Sequence, residues 1–398
     1  MADRSSDSRI WGPLARIEDA FDRLKAKVGA REASEATAHP YFGHGTPEAL
    51  HLQVRVLEGP APDLPHPARA GPAGDRALGG DRADLEGMLT ETRRETLMRM
   101  WQRFETDEVP GAVVEVPGPP GEGPLAEATT GPEGHARLTL PGGSGEPDGG
   151  DRRWRQVPVR VRGSARDQAG HEAHVLVPGE DARFGVISDI DDTIVETHAT
   201  SLRKMIPLVL TKPASARTPF PGVAAFYKAL ERGGLEEGGT LNPVFYVSSS
   251  PWNLYDLIVD YMAIQSIPLG PLFLRDFGLT RHGPIGEGHG AHKGAAIDRL
   301  LDTYERLPFV LIGDSGERDP QVYADVAERH PGRIEAVYLR AVTEESARNA
   351  AVHARRLEAL GVPVRLAPDT AGMAEHAAEL GLIEEGAARQ VVQARGRG

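Results

Sequence analysis

The sequence predicts an α/β protein, a doubly wound parallel sheet preceded by a smaller β-sandwich-like domain. From residue 184 onward, short and nearly continuous apolar runs (FGVIS, PVFYVS, PLFLR, PFVLIG, RIEAVYL) alternate with helical patterns. Runs of that kind suit strands buried on both faces, and their alternation with helices suits the crossovers of a parallel sheet. Between about 50 and 178 the apolar period is two instead, in LHLQVRVL, AVVEVP, HARLTL, WRQVPVRV and HEAHVLVP, separated by Gly- and Pro-rich turns. That is the signature of short strands with one buried face. The length of 398 residues also exceeds a single ordinary core, since domains run to roughly 100–200 residues.

Taken in chain order, residues 1–37 open with Leu14, Ile17, Phe21, Leu24 and Val28 at three- and four-residue spacing, one apolar stripe of a short helix. Its polar side mixes Glu18, Asp19 and Asp22 with Arg23, Lys25 and Lys27. This mixture favours a helix docked on the next domain over a uniformly basic membrane-surface helix. Residues 38–180 form the β-rich domain, and the compositions of 59–83 and 141–151 predict irregular, poorly ordered loops. Residues 181–385 form the α/β domain, with helical patterns in GVAAFYKALERG, PWNLYDLIVDYMA, HKGAAIDRLLDTYER and DPQVYADVAERHP. Two further helices follow, in EESARNAAVHARRLEAL and DTAGMAEHAAELGLI. Residues 386–398 read as a polar, disordered tail.

Composition narrows the functional classes. Hydrophobic residues make up 40% and charged residues 26%, a globular balance, while 46 Gly and 32 Pro imply long irregular stretches. A formal net charge of −13 argues against a nucleic-acid partner, which needs a basic surface, and against strong long-range attraction to an anionic membrane. No stretch approaches the roughly 20 apolar residues of a membrane span, and the first residues lack the apolar core of a signal peptide. A cytoplasmic location is therefore expected. With no cysteine, thiol nucleophiles, disulfides and thiolate metal sites are excluded.

Chemistry concentrates at the ends of the predicted parallel strands, where open α/β sheets bind ligands. The first ends in Ser188-Asp189-Ile190-Asp191-Asp192-Thr193, so Asp189 and Asp191 emerge two residues apart. Like charges that close repel unless a cation lies between them. A calcium EF-hand loop is excluded by Ile194 at the position where that loop needs Gly. Ser248 ends the second strand, where a hydroxyl and free amides suit a phosphoryl oxygen or simply cap a helix. Lys293 opens a later helix, and Gly313-Asp314-Ser315-Gly316-Glu317-Arg318-Asp319 ends the fourth strand. Hard oxygen donors without cysteine or paired histidine favour Mg²⁺ over zinc at this site. Gly286-x-Gly288-x-x-Ala291 superficially matches a dinucleotide fingerprint but follows no strand, and reads as a loop before Lys293.

Asp189-x-Asp191-x-Thr193, Ser248, Lys293 and Gly313-Asp314-x-x-x-x-Asp319, in that order, resemble the four-motif signature of haloacid dehalogenase-like phosphatases. FGVISDIDDTI, PFPGVAAFY, VFYVSSSPWNLYD, HKGAAI and LIGDSGERDPQVY are similar to the actin-patch-associated phosphatidate phosphatase family, relatives of the lipins. That resemblance is strong over roughly 184–343 and weaker in the front half, where YFGHGT also looks like that family. It implies Asp189 as nucleophile and Asp191 as acid and base. It also implies Mg²⁺ held by Asp189, the Asp191 carbonyl and Asp314 with support from Asp319, and Ser248 and Lys293 on the phosphoryl oxygens. Thr193 would buttress the loop.

The segment between Ile194 and Pro219 sits where this superfamily places its cap. Met205, Ile206, Leu208, Val209 and Leu210 beside Arg203, Lys204 and Lys212 suit either a clasp for a lipid phosphate or an ordinary covering helix. Trp252 and Tyr255 are either pocket wall or core. The substrate expected is phosphatidate or a related lipid phosphate, with peripheral membrane contact. Hydrolysis of a soluble small-molecule phosphomonoester is the alternative, and a lipid-sensing or interaction module is a third class.

Overall fold

The computed structural model describes residues 35–59, 64–67, 108–148, 151, 153–168, 170–190, 193–194, 222–234, 240–275 and 289–395. The expected N-terminal helix at 14–28, the cap segment, the Gly286 loop and Asp191 lie outside these residues. Among the described residues no helix is long and apolar enough to cross a membrane.

The front half is a mixed sheet of nine short strands: β1 (Ala36–Pro40), β2 (Gly43–Gly45), β3 (Ala49–Glu58), β4 (Val113–Val116), β5 (Ala126–Thr129), β6 (His135–Pro141), β7 (Glu146–Pro147), β8 (Trp154–Val161) and β9 (His171–Leu176). Its order runs β1-β3-β2-β9-β8-β4-β5, with β6 on β3 and β7 on β8. All pairings are antiparallel except β2 with β9. The two-residue period does what it predicts: in β6 and β8 alternate residues such as Ala136, Leu138, Leu140 and Val157, Val159, Val161 are buried and join one apolar cluster with Val54, Val56, Val114 and Val175. Strand β7 falls inside 141–151, which composition assigned to loop. Its Glu146 and Pro147 pair with Gln156 and Arg155, because the edge of β8 offers backbone partners that local composition does not reveal.

The back half is a six-stranded parallel sheet of β10 (Gly185–Ser188), β11 (Val244–Pro251), β12 (Leu272–Arg275), β13 (Phe309–Asp314), β14 (Ile334–Arg340) and β15 (Val364–Ala367). Its helices are α1 (Val223–Arg232), α2 (Tyr255–Ile264), α3 (His289–Thr303), α4 (Asp319–Arg329), α5 (Glu344–Ala359), α6 (Thr370–Glu379) and α7 (Glu385–Arg395). The order is β12-β11-β10-β13-β14-β15, every neighbour parallel. The chain therefore starts at β10, builds outward through β11 and β12, then returns to β10's other side with β13. That reversal creates a crevice beyond the C-terminal ends of β10 and β13. Every residue of β10 and β13 is buried, which explains why their sequences read as unbroken apolar runs.

The tail expected to be disordered from 386 is instead helical through Arg395. Ala388 and Val391 are buried in the main apolar cluster, and docking against neighbours supplies stability that a polar-looking sequence lacks on its own.

The two halves share packed surface. Tyr41, Phe42, Trp154 and Leu176 of the front half belong to the same buried cluster as the parallel sheet and its helices. Tyr41 stacks on Tyr255, with centroids 4.0 Å apart, and on Trp252 at 5.0 Å. The Phe42 amide donates to the Tyr255 hydroxyl at 2.7 Å, and His39 Nε2 lies 2.9 Å from Asp256 Oδ1. Buried Arg153 donates to the Asn242 carbonyl and to Glu231, both at 2.9 Å. Trp252 and Tyr255 are thus core residues of the junction, and the YFGHG segment supplies its other wall.

Replacing Tyr255 by Phe keeps the ring and strands the buried Phe42 amide. Urea unfolding should show a loss of about 1–3 kcal/mol, and an unchanged midpoint would mean that this bond does not hold the halves together.

Candidate active site

Asp189 is the first residue past β10. Its amide donates to the Ile312 carbonyl of β13 at 2.9 Å, which carries the sheet ladder one residue further and fixes Asp189 at the crevice. The Ser188 hydroxyl donates to the Asp189 carbonyl at 2.6 Å and, with its proton so engaged, accepts from Tyr227 of α1 at 2.6 Å. Asp314 ends β13, and its Oδ1 accepts from the amides of Gly316 and Glu317, an arrangement that closes the turn into α4. Asp319 is the first residue of α4, where the helix N-terminus favours a negative charge.

The three carboxylates converge. One oxygen from each of Asp189, Asp314 and Asp319 lies within 4.8 Å of the others, and all three residues are buried. Lys293, on α3 and 3% exposed, places Nζ 2.7 Å from Asp319 Oδ1, 3.0 Å from Asp189 Oδ1 and 3.0 Å from Glu317 Oε2. Close approach here depends on Gly313: a Cβ at that position would lie 2.5 Å from Asp319 Oδ2 and 2.8 Å from the Tyr323 hydroxyl. That hydroxyl donates to the Ile312 carbonyl at 2.8 Å and so packs α4 onto β13.

Electrostatics follow from this geometry. Burial alone would push the Lys293 ammonium down, but Asp189, Asp319 and Glu317 outweigh it and hold the pKa well above the ordinary lysine value. Burial pushes the Asp314 carboxyl up, Asp319 adds to that, and Lys293 only partly offsets them. Asp319 is likewise raised, first by burial, against the opposing pull of Lys293. Among the described residues, the carboxylates of Asp189, Asp314, Glu317 and Asp319 thus face the Lys293 ammonium. Asp314 Oδ2 is buried with no hydrogen-bond partner among the described residues. A set of hard oxygen donors with excess negative charge and an orphaned buried oxygen fits a divalent cation such as Mg²⁺.

Of the residues picked from sequence, the fold brings Asp189, Lys293, Asp314 and Asp319 together. Ser248 is fully buried near the end of β11, beside β10, and its hydroxyl accepts from the Ser250 amide at 2.9 Å. In the β10–β11 register Ser188 pairs with Tyr246, so Ser248 lies one residue further along its strand than Asp189 does. Thr193 is buried, its hydroxyl without a partner among the described residues. Glu317 and Tyr323 were missed. Glu317 stood in sequence within the same acidic turn as Asp314 and Asp319, but nothing in spacing said that it would face Lys293.

Lys293→Met removes the buried cation and leaves Asp189 and Asp319 facing each other. Thermal or urea unfolding of the metal-free protein should show a loss of about 3–5 kcal/mol, whereas a change below about 1 kcal/mol would mean that the cluster is already neutral by protonation.

Residues 184–341 match the family model described as phosphatidate phosphatase APP1, catalytic domain. The chain is 32% identical over 158 residues to the phosphatidate phosphatase APP1 of Saccharomyces cerevisiae, a match covering 39% of this chain and 26% of that protein. It is 30% identical over 166 residues to an uncharacterized protein of Schizosaccharomyces pombe, covering 41% and 26%. The chain thus spans about a quarter of the length of each relative. The family-model match runs from β10 through β14 and includes Asp189, Ser248, Lys293, Asp314 and Asp319, so that over residues 184–341 this chain is similar to the APP1 catalytic domain.

Proposed function

We propose that this chain is a phosphoric monoester hydrolase, Mg²⁺-dependent and haloacid dehalogenase-like in its doubly wound sheet, acting on phosphatidate or a related lipid phosphate. One observation carries the reading: a buried Asp189 at the strand-order reversal, paired with Lys293 and clustered with Asp314 and Asp319. The family match supports the substrate class. We place the β-rich, sandwich-like domain at 38–180 and the phosphatase domain from 181, extended through α7. A lipid substrate implies peripheral contact with a membrane surface from the cytoplasm.

In this scheme Asp189 attacks phosphorus in line, the ester P–O bond breaks, and an aspartyl-phosphate forms. Asp191 gives its proton to the leaving oxygen, then takes one from the water that attacks the intermediate, releasing inorganic phosphate and restoring Asp189. Lys293 and Ser248 hold the transferring phosphoryl oxygens, whose charge must be stabilised as the bond breaks. Lys293 Nζ, 3.0 Å from Asp189 Oδ1, also offsets the negative charge of the proposed nucleophile. Asp189, Asp314, Asp319 and the Asp191 carbonyl would hold the Mg²⁺, which supplies charge neutralisation between the nucleophile and a dianionic phosphate.

Phosphate release should be measured from dioleoyl phosphatidate in detergent micelles and from p-nitrophenyl phosphate, each with and without Mg²⁺. Asp189→Asn should lower Mg²⁺-dependent release by more than about a thousandfold, with the micellar ester preferred. Release from the soluble ester alone would move the substrate to a small phosphomonoester, and lipid binding without release from either would make the chain a sensing module.

Cation binding should also depend on pH. Asp314 and Asp319, with pKa values raised in the folded state, bind more protons folded than unfolded above the ordinary Asp value of about 3.9. Their contribution to metal-free stability is therefore present at acid pH and lost as pH rises through the raised values. Mg²⁺ competes with those protons, so the rise in Tm on adding Mg²⁺ should be larger at about pH 8 than at about pH 5. An equal rise at both would place the cation elsewhere.

A further inference from the structure

A second cluster of metal-binding side chains lies in the β-rich half, and sheet register builds it. Gln156 of β8 sits directly opposite His174 of β9, and opposite Glu146 of β7 on its other side. Asp148 comes two residues after Glu146, and residues two apart project to the same side of an extended chain. Asp148, Gln156 and His174 therefore share one face of the sheet, the face on which Trp154 and Leu176 enter the core shared with the parallel sheet. His66, from the short described segment 64–67, meets them there.

The contacts are close. His66 Nε2 lies 3.2 Å from Asp148 Oδ2, and the His66 and His174 rings meet edge to face with centroids 4.6 Å apart. One donor atom from each of His66, Asp148 and His174 falls within 4.8 Å of the others. The Gln156 amide nitrogen is 3.3 Å from Asp148 Oδ2 and 3.4 Å from His66 Nε2. Asp148 is 6% exposed, and the Nδ1 atoms of both His66 and His174 are buried without a hydrogen-bond partner among the described residues. Buried polar atoms are rarely left unpaired, and two imidazoles with donor atoms within 4.8 Å of one buried carboxylate form a set of ligands that suits a transition metal.

The geometry points to a structural zinc site formed by His66, Asp148 and His174, with the Gln156 amide oxygen as fourth donor. Zinc bonds of about 2.0–2.1 Å place tetrahedral donors about 3.3–3.4 Å apart, and the His66–Asp148 pair already stands at 3.2 Å. Turning the Gln156 amide over puts Oε1 where Nε2 is, a choice that the surrounding hydrogen bonds, and hence a bound cation, would set. Two imidazoles favour Zn²⁺ over the hard Mg²⁺ of the acidic crevice. Such a site closes a cross-link between the segment around His66, Asp148 as the residue that follows β7, and strands β8 and β9, next to the junction of the two halves.

The test uses the full chain, stripped of metal with chelator, dialysed, and titrated with Zn²⁺ in excess Mg²⁺. One equivalent of zinc should bind and raise Tm. His66→Gln and His174→Gln should each weaken it at least about 100-fold, while Asp189→Asn should leave it unchanged. Zinc bound equally well by both histidine variants, lost with Asp189→Asn, or not bound by the native chain would overturn the site. Should the histidine variants fail to fold, Co²⁺ on the native chain decides. An intense visible spectrum of tetrahedral nitrogen and oxygen ligation supports the site, and a weak octahedral spectrum sinks it. None of these readouts involves phosphate release, so the outcome is independent of the proposed activity.

Discussion

Lys293 sits where three elements of the back half meet. Asp189 comes from the end of β10, Asp319 from the start of α4 and Glu317 from the turn between β13 and α4, and one ammonium lies within 3.0 Å of all three. Removing carboxylates from water costs several kcal/mol each, and only a partner in contact repays it. Without that cation the C-terminal ends of β10 and β13 could not be so acidic and so buried at once. The same constraint extends to the backbone: Gly313 leaves room for Asp319, and Tyr323 closes α4 against β13.

The pairing also sets what the crevice can do. A buried carboxylate carries charge in a place that disfavours it, and Lys293 in contact with Asp189 offsets that cost. Lys293 does not neutralise everything, however, because Asp314 remains with a raised pKa and an oxygen without a hydrogen-bond partner among the described residues. Three clustered carboxylates could hold a divalent cation, which under the proposed reading would in turn draw in a phosphate. Strand order explains the location, since the order reverses between β10 and β13 and open α/β sheets bind ligands beyond the strand ends at such a point.

The front half is not an independent appendage. Its YFGHG segment inserts Tyr41 against Trp252 and Tyr255, and those two residues follow Ser248 on the same strand-to-helix passage. Packing that orders this passage also orders the end of β11, so the β-rich half contributes to the site by holding one of its walls. Aromatic stacking and a buried amide-to-hydroxyl bond are directional, which fixes the passage more closely than apolar contact alone would.

Asp189, Lys293, Asp314 and Asp319 were legible in the sequence because each stands at a strand end or helix start, and a parallel sheet gathers its strand ends by construction. The same local reading found β3, β6, β8 and β10 to β14, whose buried faces leave a period of two or none, but not the four-residue β15 between two helices. It could not find β7, whose strand character comes from the edge of β8, nor the helix of the tail, which Val391 anchors through burial in the main cluster. Trp252 and Tyr255 stood undecided until Tyr41, more than two hundred positions away, was seen against them. Glu317 beside Lys293, and His66 beside Asp148 and His174, carry no spacing that announces them. Local periodicity is written into the chain, and with it the fold class and the acidic strand ends. Which side chains share a cation depends on contacts between distant segments, and these follow from strand order and register, which no local pattern encodes.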